Sequence, residues 1–174
     1  MKKIILPLNN IDIKKLRAGE KVLLTGPVYT ARDAAHKRIA QSSKLKAWKL
    51  PIDWKGQTIY YAGPAPAPKG MPIGSCGPTT SSRMDRYTPL LLKLGIKGMI
   101  GKGNRSEDVK KAIIRSGAVY FVAVGGTGAL LSRRITKAKV IAFRDLGPEA
   151  IYELELKDFP VLVGINSYGK SIYK

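Results

Sequence analysis

The chain of 174 residues carries 31 Lys and Arg against 12 Asp and Glu, a formal net charge of +19, with 44% hydrophobic and 25% charged residues. That composition excludes a disordered or collagen-like chain, and the length suits one compact domain burying about 70% of the surface its unfolded form would expose. The charge would suit a nucleic acid, an acidic partner protein or a small polyanion, and speaks to partners rather than to fold.

MKKIILPLNN reads as a first strand, because it lacks both a signal-peptide core and a small-residue cleavage site. NIDIKKLRAGEKVLLTG follows as a short amphipathic turn and a strand at 21–25. Ala31, Ala34, Ala35 and Ile39 recur at helical spacing, which predicts a helix over 32–43 with Thr30 as N-cap and Asp33 in its first turn. TIYYAG, at 58–63, is β-branched and aromatic and reads as a strand; the PAPAPKGMP after it is an extended loop.

From Ser81 the residues Met84, Tyr87, Leu90, Leu91 and Leu94 predict a helix with a kink or break at Pro89. KGMIGKGN reads as a short strand leading into Gly101, Lys102 and Gly103. SEDVKKAIIRSG has Ser106 as N-cap, acids in the first turn and Gly117 as its stop. AVYFVAV, at 118–124, is apolar throughout, as a strand buried on both faces would be. GGTGALLSRRI predicts a short helix after a glycine-rich turn. KVIAFRDLG follows, and AIYELELKDFPVLVGIN reads as a last pair of strands. Alternating strands and helices make the fold class α/β, with a mainly β ending.

The basic surplus lies upstream of Asp145: residues 1–144 hold 28 Lys and Arg against 7 acids, and residues 145–174 hold 3 against 5. No apolar stretch reaches the roughly 18–20 residues that a membrane helix needs. The single cysteine, Cys76, fits a reducing compartment. These features point to a cytoplasmic protein with no membrane partner.

Three strand-to-helix junctions carry the chemistry. In the first, Arg32 and the only histidine, His36, stand four apart and share a helix face. The second, IGSCGPTTSSRM, brings Cys76, the hydroxyls of Thr79, Thr80, Ser81 and Ser82, and Arg83 together. More hydroxyls are present than one cap requires, and a cation in a first helical turn opposes the helix dipole unless an anion sits there. Cys76 reads better as a small buried thiol than as a nucleophile. The third junction, KGNRSEDV, adds Lys102 and Arg105, with glycine on both sides of Lys102. One histidine and one cysteine are too few soft ligands for a metal. GGTGALL has glycines suited to a tight turn and lacks the spacing of a phosphate-binding fingerprint. In an open α/β sheet such junctions gather at one edge and form a pocket for a small polycarboxylate or phosphate.

GPVYTARDAAHKR, YYAGPAPA, IGSCGPTTSSRMD, KGNRS and VGGTGAL occur in this order. Together they resemble the β subunit, or C-terminal domain, of class I fumarases and L-tartrate dehydratases, which are iron–sulfur hydro-lyases. The resemblance covers residues 5–170 and implies a swivelling β/β/α domain. It also implies an oxygen-sensitive [4Fe-4S] cluster held by three cysteines of the α part, with one iron open as a Lewis acid. With one cysteine, this chain resembles half an enzyme whose cluster-bearing α subunit is a separate polypeptide, in an α2β2 heterotetramer. The same resemblance places substrate-binding roles on Arg32, Arg83, Lys102 and Thr80, and catalytic roles on Thr79, as proton-transfer hydroxyl, and His36. The implied reaction is the reversible hydration of fumarate to L-malate. The alternatives are an L-tartrate dehydratase β subunit and a basic nucleic-acid-binding module, the latter lowered by the absence of aromatic stacking motifs.

Overall fold

The structure, a computed structural model, describes residues 1–44 and 52–174. Its first strand, β1 (Lys2–Ile5), leads to the short helix α1 (Asn10–Lys15). The Asn9 side chain starts that helix by accepting a hydrogen bond from the Asp12 amide at 2.8 Å. Strand β2 (Lys21–Thr30) runs five residues beyond the 21–25 expected from the sequence. Gly26 and Pro27 read locally as a stop, but a long final strand, β7 (Ile151–Ile165), pairs along the whole of β2 and absorbs them in a bulge between Leu24 and Gly26. Gly26 lies at φ 125°, and a Cβ there would fall 2.6 Å from the Leu6 carbonyl oxygen.

Helix α2 (Asp33–Ser43) matches the expected span but not the expected cap. Arg32 is the N-cap, without a side-chain capping bond, and Thr30 remains in β2. There its Oγ1 accepts from the Tyr152 amide at 3.0 Å and donates to the Ala150 carbonyl. Strand β3 (Thr58–Tyr60) is shorter than read. The helical pattern from Ser81 divides into a 3-10 turn at Ser81–Met84 and helix α3 (Thr88–Lys93), with Pro89 in the first turn, where its missing N–H costs nothing.

Strand β4 (Gly98–Gly101) and helix α4 (Glu107–Ser116) follow. The Ser106 hydroxyl accepts from the Val109 amide, and Gly117 closes the helix in the left-handed region, as the sequence predicts. Strand β5 (Val119–Val122), helix α5 (Gly128–Ser132), strand β6 (Ile135–Ala142) and a 3-10 segment at Arg144–Glu149 precede β7. The expected last pair of strands is thus one 15-residue strand. Asp158, at φ 49°, takes the bend, and its amide is held by the Thr25 hydroxyl at 3.0 Å.

Strands β1 to β5 are consecutive, parallel neighbours. β7 pairs antiparallel with both β5 and β2, which closes β2 to β5 into a barrel-like ring, while β6 flanks its first half. Alternate residues of each strand therefore serve two cores. Leu24, Tyr60, Ile100, Phe121, Phe159 and Val163 pack in one cluster. Ile59, Met99 and Tyr120 face the other way, against Ile39 of α2, Leu91 of α3 and Ile113 of α4. The result is a compact single domain of mixed α/β structure with a strand-rich sheet.

Candidate active site

The carboxyl ends of β2, β3, β4 and β5 all point to one edge, where ligands of parallel α/β sheets collect. The three cationic junctions of the sequence do converge there. Arg32 leaves β2 and lays its side chain along Gly63, where a Cβ would lie 3.0 Å from Arg32 Cδ and Nη1. Its Nε is buried and has no hydrogen-bond partner. Such a donor is costly to leave unsatisfied unless something binds it.

The GPTT segment is held as an extra rung between the ends of β3 and β4. The Thr79 amide donates to the Tyr61 carbonyl at 2.6 Å, the Lys102 amide to the Thr79 carbonyl at 3.3 Å, and the Ser81 amide to the Lys102 carbonyl at 2.9 Å. Thr80 and Lys102 are bridged in parallel register. The Lys102 side chain passes Gly125, whose Cβ position would be 3.2 Å from Lys102 Cδ and 3.5 Å from Nζ. Tyr120 fixes the turn beyond it, with its hydroxyl donating to the Gly103 carbonyl and accepting from Ser81 Oγ, both at 2.8 Å.

Arg83 is half exposed, at 51% of its side chain, and is tied to the first turn of α2. Its Nε donates to Asp33 Oδ1 at 3.2 Å, and Nη2 lies 2.8 Å from Oδ2. Asp33 thus joins the two arginine-bearing junctions, a role that sequence reading missed although the residue follows Arg32 directly. The pair is bidentate, with Asp33 only 32% exposed, so it holds the guanidinium of Arg83 against the first turn of α2.

His36 lies beneath this edge and is 1% exposed. Its Nδ1 is 2.7 Å from the Arg32 carbonyl, to which a neutral ring donates, and it packs edge-on to Tyr61 at 5.5 Å. Burial pushes its pKa down from the ordinary 6.5 to about 4, the Arg105 charge adding to the effect while the Arg32 carbonyl and Asp33 oppose it. The imidazole is neutral at pH 7 and orients the Arg32 backbone.

Arg105 is the correction to the sequence reading. Expected as a further cation for an anion, it is 3% exposed and fully engaged inside the protein. Nε donates to Asp85 at 2.7 Å, Nη2 to Thr88 at 2.8 Å and Tyr61 at 3.3 Å, and the guanidinium lies 5.3 and 4.9 Å from the Tyr61 and Tyr120 ring centres. Asp85 also accepts from the Ser106 amide at 2.7 Å. This hub stands beneath both the SSRM turn and the KGNR turn. Cys76 is buried, its thiol pushed up to about 12 by desolvation, and its amide donates to the Gly128 carbonyl.

An iron–sulfur cluster needs several thiolates. This chain has one thiol, buried and protonated, and the described residues contain no group of three His, Cys, Asp or Glu side chains able to hold a metal ion. The donor set does not fit such a cluster.

The model of the family described as Fumarase C-terminus matches residues 2–174. The chain belongs to that family. It is 40% identical over 173 residues to a Methanocaldococcus jannaschii protein named by inference as an L(+)-tartrate dehydratase subunit beta, covering 96% of this chain and 88% of the relative. It is 37% identical to the anaerobic class I fumarate hydratase of Escherichia coli K12, over 100% of this chain and 31% of that one. The mitochondrial fumarate hydratase 1 of Leishmania major is 37% identical over 94% of this chain and 30% of its own length. The chain therefore spans about three tenths of the fumarate hydratases it matches.

Proposed function

We propose that the chain is the β subunit of a two-subunit iron–sulfur fumarate hydratase that reversibly hydrates fumarate to L-malate. The observation that carries this reading is the cationic edge itself, with Arg32, Arg83, Lys102 and two threonines, on a chain whose donor set does not fit the cluster. The [4Fe-4S] cluster is then ligated by a separate α subunit, in a cytoplasmic α2β2 assembly, and this chain is its swivelling β/β/α domain. An apolar concavity of about 420 Å³, lined by Val122, Val124 and Leu130 and, from the start of β2 and from β7, by Lys21, Pro160 and Leu162, offers a face for that subunit.

Each residue has a defined task in this reading. The Arg32 and Arg83 forks hold the two carboxylates of the substrate, Lys102 contributes a point charge, and Thr80 lies beside them. The Thr79 hydroxyl moves the proton at carbon. An ordinary hydroxyl is too weak an acid for that alone, so it needs a carboxylate from the α subunit or the field of the substrate. Neutral His36 fixes the orientation of Arg32. A second reading, the β subunit of an L-tartrate dehydratase, is supported by the 40% identity to a relative of subunit length.

Mixing the chain with a cluster-loaded α partner under anaerobic conditions should give malate from fumarate, and the chain alone should give none. Malate formation by the chain alone would overturn the subunit reading. Arg83→Met should lower kcat/KM of the assembled enzyme by about 100-fold, since a charge-assisted carboxylate contact is lost. Far-UV circular dichroism should not change, because the side chain is half exposed. A preference for L-tartrate over fumarate would select the second reading.

A further inference from the structure

The opposite edge of the sheet carries a second cationic concavity. It lies where α1 turns into β2 and where the chain leaves β7, at the amino ends of the parallel strands. A cleft of about 640 Å³ is lined there by Lys14, Lys15, Arg17, Asn166, Tyr168 and Lys170. A second lobe of about 350 Å³ shares Lys14 and Tyr168 with it and adds Ile114 and Ser167.

Several observations set this cleft apart from the general basic surface. Among the described residues, none of its four cations forms an ion pair. Lys14 and Lys15 could serve only to balance the carboxyl end of α1. Arg17 and Lys170, however, come from outside that helix. The two walls are joined by Asn166, which is 5% exposed. Its Nδ2 donates to the Leu16 carbonyl at 3.4 Å, and its Oδ1 accepts from the Tyr168 and Lys170 amides at 3.1 and 3.0 Å. That clamp presents the Tyr168 ring outward, 63% exposed, with Lys170 beside it. Beneath the second lobe, the Ser167 hydroxyl is buried and has no hydrogen-bond partner.

We propose that this cleft binds a nucleoside polyphosphate. Four cations around a concavity of this size match a chain of phosphates. An exposed aromatic ring at the rim is the platform on which a base stacks. A bare polyphosphate would use the cations and leave Tyr168 unused. The proposal concerns this chain alone and stands or falls apart from the fumarase reading.

Calorimetric titration of the full chain at about 0.15 M salt, with ATP, tripolyphosphate and adenosine, tests it. ATP should saturate one site per chain and bind about tenfold tighter than tripolyphosphate, with adenosine weakest. Tyr168→Ala should erase the advantage of ATP over tripolyphosphate. The double variant Arg17→Ala, Lys170→Ala should weaken both by about tenfold or more. All three side chains are exposed, so folding is retained. A control pair of exposed lysines, Lys69→Ala and Lys137→Ala, should change neither. Equal binding of ATP and tripolyphosphate would overturn the nucleoside part. Equal losses in the control pair and the cleft pair would reduce the site to non-specific attraction by a +19 surface and overturn it altogether. An affinity that grows with the length of single-stranded RNA and is untouched by ATP would overturn it as well.

Discussion

His36 and Arg105 both pack against Tyr61 under the candidate edge, one neutral and one charged, and the difference follows from their partners. His36 has a single carbonyl at Nδ1, too little to offset burial, so its pKa falls from 6.5 to about 4. The unfolded chain therefore takes up a proton as pH drops below 6.5, while the folded chain resists until about pH 4. The contribution of His36 to stability is complete above pH 6.5 and is lost across that window, by about 3 kcal/mol at the acid end. Urea unfolding followed from pH 7 to pH 4 should show this fall, and His36→Gln should show a flatter profile; parallel profiles would mean that the ring titrates normally. Arg105 keeps its charge because Asp85, Thr88 and two tyrosine rings surround it. Arg105→Met would leave Asp85, itself 13% exposed, without its counter-charge, at a cost of about 3–5 kcal/mol in the same measurement. Arg105→Lys should recover only part of that, because an ammonium cannot make the fork to Asp85 and Thr88. Neither role is visible in a linear pattern, since all of these partners except Arg32 lie 15 or more positions away.

The elements that could be read from the sequence are those fixed by neighbouring residues. Helix α4 has its serine cap, its acids and its terminal glycine within twelve positions, and it forms as expected. Convergence of the three junctions was legible too, because consecutive parallel strands must place their carboxyl ends together. What escaped was set by distant pairing. β2 passes through Gly26 and Pro27 only because β7 lies alongside, and β7 stays one strand because β2, β5 and β6 all pair with it. The glycine-rich turns belong to the same category. Gly128, the first residue of α5, packs on Gly77 of the GPTT loop, and a Cβ there would fall 2.9 Å from the Gly77 amide nitrogen and 2.5 Å from Ser75 Oγ. Gly128 thus serves contact between two loops, while Gly126, at φ 77°, serves the tight turn read from the sequence. Gly128→Ala should cost about 1–3 kcal/mol by overpacking and should lower activity of the assembled enzyme more than Gly126→Ala, whose Cβ would meet open space but whose φ of 77° still adds strain. Equal effects on activity would show that the loop contact does not hold Thr79.

At the scale of the molecule, β7 belongs to both cores. Ile151 and Ile165 at its ends pack with the helices, whereas Leu154, Leu156, Phe159, Val161 and Val163 pack inside the ring. Neither cluster can lose its order while the other keeps β7 in place, so the helical layer and the barrel should unfold as one. Two-state behaviour of this kind is common for single domains near this size. Trp54 lies buried in the helix-side cluster against Tyr29, with ring centres 5.9 Å apart, and reports on that side. Hydrogen exchange at the Phe121 and Val163 amides reports on the ring. With Trp48 replaced by Phe so that only Trp54 emits, tryptophan fluorescence and amide exchange should therefore give the same unfolding free energy, and Arg105→Met, although it touches only the helical side, should lower both by the same amount. A ring that kept its protection while the fluorescence transition moved would show that β7 does not couple the layers, and that the cationic edge, built from loops of both, can loosen without unfolding the barrel.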